Sequence, residues 1–202
     1  MKVICVDISG KVYKYDDALY DTIIHKSGIE DEIICLTPYK NKCAHLESSF
    51  KLISLVPKSQ AHSYNLVKRI LKAVECLINY SRLLLFMKKW QPDVLHLQWL
   101  PFLELCMIEF YILKFMKKIC ANTKIVLTVH NIYPHNISVE KRINYKHRFT
   151  KVGKLLDYII VHTFNSSLEL NQEFDIDPDK INIINHGVFI PSTLPKRDNV
   201  DE

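Results

Sequence analysis

Residues 124–135 read KIVLTVHNIYPH. After Lys124 the chain stays apolar from Ile125 to Val129, with only Thr128 interrupting, and then turns polar at His130 and Asn131. Pro134 and His135 close the stretch. Five positions, four of them apolar, are too few for a helix, and their two-sided apolarity suits a strand covered on both faces. The polar exit matters as much as the run. In a parallel sheet the carboxyl ends of the strands carry the loops that bind ligands.

Similar short runs recur along the chain at Val3–Ile8, Glu32–Leu36, Lys51–Val56, Val94–Leu97, Tyr158–Val161 and Ile181–Ile184. Segments with helical spacing lie between most of them, at 16–26, 66–90, 102–121, 144–156 and 166–174. Strands alternating with helices require right-handed crossovers and a mostly parallel sheet. The fold class expected is therefore α/β, a doubly wound sheet of about seven strands with helices on both faces.

Bulk properties fit one cored domain. The 202 residues are 48% hydrophobic and 24% charged, with four glycines and no repeats. Six cysteines (Cys5, Cys35, Cys43, Cys76, Cys106 and Cys120) are widely spread without a C-x-x-C pair. Their placement suits reduced thiols in the cytoplasm better than a disulfide framework, and no metal-ligand spacing is present. The amino-terminal apolar run ends at Asp7, too early for a signal-peptide core. The most apolar long segment, 102–116, is interrupted by Glu104 and Glu109 and is too short to span a bilayer.

Candidate site residues gather at the predicted strand ends. Ser9 and Gly10 follow the first strand, His96 sits near the end of the fourth with Trp99 just beyond it, His130 and Asn131 follow the fifth, and His162 follows the sixth. For His96 and His162 two readings stand, a hydrogen-bonded packing residue or a cleft residue. His130 with Asn131 favours the cleft, because two adjacent polar side chains leave one strand together. The loop DISGKVYKY has one glycine where a dinucleotide fingerprint has three, and LTPYK ends the second strand without a ribose-binding acid. A nicotinamide enzyme and a P-loop enzyme are both disfavoured.

Residues 139–154 hold Lys141, Arg142, Lys146, Arg148, Lys151 and Lys154 against Glu140, a local excess equal to the +5 net charge of the whole chain. That helix either presents a solvated face or meets phosphate on a lipid-linked acceptor or an anionic membrane. The 66–90 helix adds Lys68, Arg69, Lys72, Arg82, Lys88 and Lys89 beside a stripe of Leu66, Val67, Ile70, Leu71, Val74, Leu77 and Ile78. Either core packing or a membrane surface would use such a stripe. Nucleic acid fits poorly, since regularly interleaved aromatics are missing.

The stretches DVLHLQWLP (93–101), KIVLTVHNIYPH, LDYIIVHTFNSSLEL (156–170) and KINIINHGVF (180–189) resemble, in this order, the N-terminal half of GT-B glycosyltransferases, most nearly the retaining family 4 group. The resemblance implies a Rossmann-like acceptor-side domain over 1–190 and a linker or tail over 191–202 leading to a donor-binding domain. It implies that His130 faces the reacting sugar or acceptor. It places Ser9 and Gly10 near the donor diphosphate, with one glycine where the family has a pair, and makes Asn185, His186 and Gly187 the interdomain hinge. No cofactor is implied; a nucleotide-sugar would be a co-substrate held mainly by the other domain. The partners implied are a glycan or lipid-linked acceptor, an anionic membrane surface and a polypeptide supplying the second domain. The expected location is the cytoplasm or the inner face of its membrane. The rival function is a non-catalytic module that binds a glycan or a partner through the same rim.

Overall fold

A computed structural model describes residues 1–57, 65–134 and 137–186. Seven strands form one sheet in the order β3-β2-β1-β4-β5-β6-β7. They are β1 (Lys2–Asp7), β2 (Glu32–Thr37), β3 (Lys40–Ala44), β4 (Val94–Trp99), β5 (Lys124–Val129), β6 (Tyr158–Val161) and β7 (Ile181–Ile183). Every neighbouring pair is parallel except β2 with β3, which run antiparallel through a tight turn at Pro38 and Tyr39. Five helices complete the fold: α1 (Tyr13–Lys26), α2 (Leu66–Trp90), α3 (Ile108–Ile119), α4 (Val139–Leu155) and α5 (Phe164–Phe174).

The alternation of β1 explains the two layers. Ile4, Val6 and Ile8 join a core built with α2, α3, α4 and α5, while Val3 and Cys5 join a smaller core with Tyr20 of α1. The chain winds one way from β1 through α1 to β2, and the other way from β4 onward. Strand order therefore reverses between β1 and β4, the position at which doubly wound sheets open a ligand crevice.

Three expectations from sequence change. Lys51–Val56 is not a strand. Its backbone is bonded by side chains of α2: Asn79 accepts from Ile53 N at 2.8 Å and donates to Ile53 O at 3.0 Å, and Glu75 accepts from Leu55 N at 2.7 Å and Val56 N at 3.1 Å. The antiparallel edge strand β3 takes its place in the sheet, with Lys40 paired to Asp17 at 3.1 Å and Lys42 paired to Asp21. The third helix begins at Ile108 rather than 102, because Leu105 N and Cys106 N both close turns onto Phe102 O.

The polar contacts to 51–56 also turn α2 inside out. Its buried residues include Glu75 and Asn79 beside Cys76, Tyr80, Leu83 and Met87. The stripe from Leu66 to Ile78 is therefore displaced outward, and its seven members are 37–68% exposed. Core packing does not account for it.

At the end of β1 the buried Asp7 carboxylate organises the next five residues. Oδ1 accepts from Ser9 N (2.9 Å), Ser9 Oγ (2.9 Å) and Gly10 N (2.8 Å), and Oδ2 accepts from Val12 N (3.0 Å). Gly10 has φ +68°, and a Cβ there would lie 2.5 Å from the Tyr39 ring, so both conformation and space demand glycine. Asp16, buried in the first turn of α1, is pushed up to about 9, chiefly by burial and then by the Asp7 carboxylate.

Asp16 is therefore protonated in the fold at neutral pH but ionised when the chain unfolds. Its contribution favours folding at acidic pH and declines as pH rises from about 4 toward 9. Asp16→Asn keeps the neutral form, so its gain in Tm over wild type should be larger at pH 8 than at pH 5 by about 3 °C or more. Equal gains at both pH values would contradict a neutral Asp16. Asn79→Ala removes both bonds to Ile53 and should cost about 2–4 kcal/mol in denaturant unfolding.

Candidate functional site

Strands β1, β4, β5 and β6 all end on one rim; the exits of β1, β4 and β5 border two adjoining clefts, and His162 at the end of β6 lines neither. The narrower one, about 30 Å³, is bordered by Trp99, Leu103, Thr128, His130, Asn131 and Pro134. The wider one, about 300 Å³, is bordered by Ser9, Lys11, Arg69, Lys72, Trp99 and Glu104. Trp99 and Glu104 line both, so the two are continuous at the β1/β4 switch. Lys11 lies over the Trp99 ring at 4.1 Å and within 3.6 Å of Glu104. A half-exposed indole with one edge on a charged rim can stack on a sugar ring while the polar neighbours bond its hydroxyls.

His130 continues the face of β5 that carries Val126 and Thr128, opposite the main core. It is half-buried, and its Nε2 has no hydrogen-bond partner among the described residues. Burial, reinforced by neighbouring His162, His186 and His96, holds its imidazole down to about 4, so it is neutral at physiological pH. A neutral imidazole with a free nitrogen can accept from, or donate to, a hydroxyl in the cleft. Asn131 is exposed beside it.

Three imidazoles meet here. His130 lies 5.2 Å from His162 and 6.2 Å from His186 between ring centroids, and His162 stacks on His186 at 3.6 Å. Tyr15 presents its ring edgewise to all three, at 4.7, 5.8 and 5.5 Å respectively. His162 Nδ1 donates to Ile184 O at 2.8 Å, joining the exit of β6 to the chain that follows β7. The sequence offers no metal-ligand spacing, yet three strand exits bring these rings together.

His96 is placed differently from the other candidates. It is the third residue of β4, in register with Cys5 and Val126, and its Nε2 bonds Thr128 Oγ1 at 2.8 Å. Burial lowers its imidazole to about 4. These partners account for it as a residue within the sheet. Arg148 is also occupied. Its Nε donates to Leu103 O at 2.7 Å and its Nη2 to Glu104 O at 2.6 Å, which pins the wall shared by the clefts. Lys141, Arg142 and Lys146 stay exposed on α4, Arg142 lying 5.1 Å from the Tyr133 ring centre. Val139 and Ile143 are exposed on the same helix. Gly187 and the 191–202 tail lie outside the described residues, as does His135.

Sequence reasoning missed Tyr15, Lys11 and Glu104 as members of this rim. Tyr15 and Lys11 become neighbours of the strand exits only through the Asp7 turn. Glu104 does so through the turns that replace the expected start of α3.

Comparison with known proteins bears on the family. A solved lipopolysaccharide outer core galactosyltransferase, WaaB in its apo form, is similar at 13% identity with a TM-score of 0.43, over 98% of this chain and 50% of its own. The chain thus spans about half the length of that structure. No curated protein matches the chain. The family model described as Glycosyltransferase Family 4 matches residues 26–190, from the end of α1 past the last strand. This chain belongs to glycosyltransferase family 4.

Proposed function

We propose that this chain is the acceptor-binding half of a retaining hexosyltransferase, which moves a sugar from a nucleotide donor onto a glycan or a lipid-linked glycan. The observation that carries the proposal is the cleft at the switch point. His130 borders that cleft as a neutral imidazole beside Asn131 and the Trp99 ring, where a sugar hydroxyl can be held and oriented. Among the described residues Glu104 is the one carboxylate bordering either cleft. A reaction on a single face of the donor sugar needs no enzymic nucleophile, which agrees with that sparse set. The nucleotide-sugar would sit mainly on a second domain, closing over the cleft and excluding water.

Membrane contact belongs to the same proposal. The outward stripe of α2 carries Leu66, Val67, Ile70 and Leu71 beside Lys68 and Arg69, and α4 adds Val139 and Ile143 beside Lys141 and Lys146. Each large apolar side chain seated among acyl chains contributes about 1.5–3 kcal/mol, and each nearby cation on an anionic surface about 1 kcal/mol. No helix among the described residues is long and apolar enough to cross a membrane, so the contact would be peripheral.

Residues 1–202 alone should bind neither UDP nor GDP tightly in calorimetry and should transfer no sugar. Supplying a matching second half should restore transfer, and His130→Ala in that complete enzyme should lower kcat by about tenfold or more. A full-rate variant would remove His130 from the site. In liposome sedimentation the chain should bind anionic vesicles and release them as salt rises. Ile70→Asp together with Leu71→Asp should abolish that binding while leaving the fold intact by circular dichroism.

A further inference from the structure

We propose that His130, His162 and His186 form a binding site for one divalent transition-metal ion of the zinc class, with three imidazole ligands and a fourth position open toward the cleft. One ring nitrogen from each residue lies within 4.8 Å of the others. Tetrahedral coordination at about 2.0–2.1 Å per imidazole places the nitrogens roughly 3.3 Å apart, so the set closes when the stacked His162 and His186 rings, 3.6 Å apart, swing away from one another.

Two further observations point to a cation rather than to casual ring packing. His130 Nε2 and His162 Nε2 are both buried without a hydrogen-bond partner among the described residues. A buried acceptor left unsatisfied is costly, and an ion would satisfy both at once. The second observation is the orientation of His162. A carbonyl can only accept, so the 2.8 Å contact with Ile184 O fixes the proton on Nδ1 and leaves the lone pair on Nε2. Metal-ligating histidines are commonly held this way, by a backbone carbonyl on the other nitrogen.

The surroundings agree. Tyr15 walls the group edgewise and supplies no charge at neutral pH, its hydroxyl being raised further by burial. The three ligands come from the exits of β5, β6 and β7, so an ion would tie the chain following β7 to the sheet rim. All-nitrogen donors favour zinc, copper or nickel over magnesium or calcium. The site stands on these residues whether or not sugar transfer is the reaction.

Tag-free protein of residues 1–202, kept reduced, is titrated with Zn²⁺ against a chromophoric chelator and separately with Co²⁺ by visible absorption. The expected result is one equivalent bound, with a Co²⁺ spectrum of four-coordinate intensity that Zn²⁺ abolishes. His130→Ala, His162→Ala and His186→Ala should each weaken binding by about tenfold or more. Exposed Cys106 is the competing soft ligand on the surface, and Cys106→Ser should change nothing. His186 is exposed, so His186→Ala tests the site without disturbing the core. It should also erase a Zn²⁺-dependent rise in Tm. Failure to bind an equivalent of Zn²⁺, or binding that survives His186→Ala unchanged, would overturn the proposal.

Discussion

The Asp7 carboxylate is the interaction on which the working rim depends. It lies at the last position of β1, fully buried, and is neutralised by three backbone N–H groups and the Ser9 hydroxyl instead of by a cation. A carboxyl group so placed is tolerable only when its bonds are all made. The turn it gathers therefore has little freedom. That turn sets where α1 begins, and through it where Tyr15 meets the imidazoles and where Lys11 meets Trp99. A protonated Asp16 beneath it prevents two carboxylates from repelling one another in the same apolar surroundings.

A second buried pair of polar residues shapes the outer surface. Glu75 and Asn79 face inward to serve the backbone of 51–56, sharing that face with Cys76, Tyr80, Leu83 and Met87, while the apolar residues from Leu66 to Ile78 on the other faces are left outward. The helix thus buries two polar side chains among apolar ones and exposes a second apolar stripe, a departure from the usual amphipathic arrangement. The result is intelligible once the backbone of 51–56 is counted, because each of its buried N–H groups needs an acceptor. Arg148 does similar work across the cleft, satisfying two carbonyls in a turn that no regular element reaches.

Most of the sheet was legible in sequence because β1, β2, β4, β5 and β6 are short runs rich in Val, Ile and Leu, with β1 and β2 buried on both faces. β3 was not, since KNKCA is an edge strand whose lysines look like loop. Lys51–Val56 has strand composition but finds its partners on helix side chains, a long-range arrangement that local pattern cannot report. His130, Asn131 and Trp99 were found through the rule about strand exits. His96 was placed one step too far along, as β4 runs on to Trp99. The convergence of His130 with His162 and His186 depends on the β5–β6–β7 register, and no spacing motif encodes it.

The two ends of the sheet are not alike. At β3 the lysines and their acidic partners on α1 make an edge that repels further pairing. At β7 the strand is three residues long, uncharged, and followed by Ile184, with Ile183 44% and Ile184 54% exposed. Among the described residues no strand pairs with its outer side, and an edge of this kind beside exposed isoleucines is a template for another extended segment. Left uncovered in concentrated solution, this margin would pair with the same margin of a second copy and stop at a dimer, because β3 offers no second edge to extend the sheet.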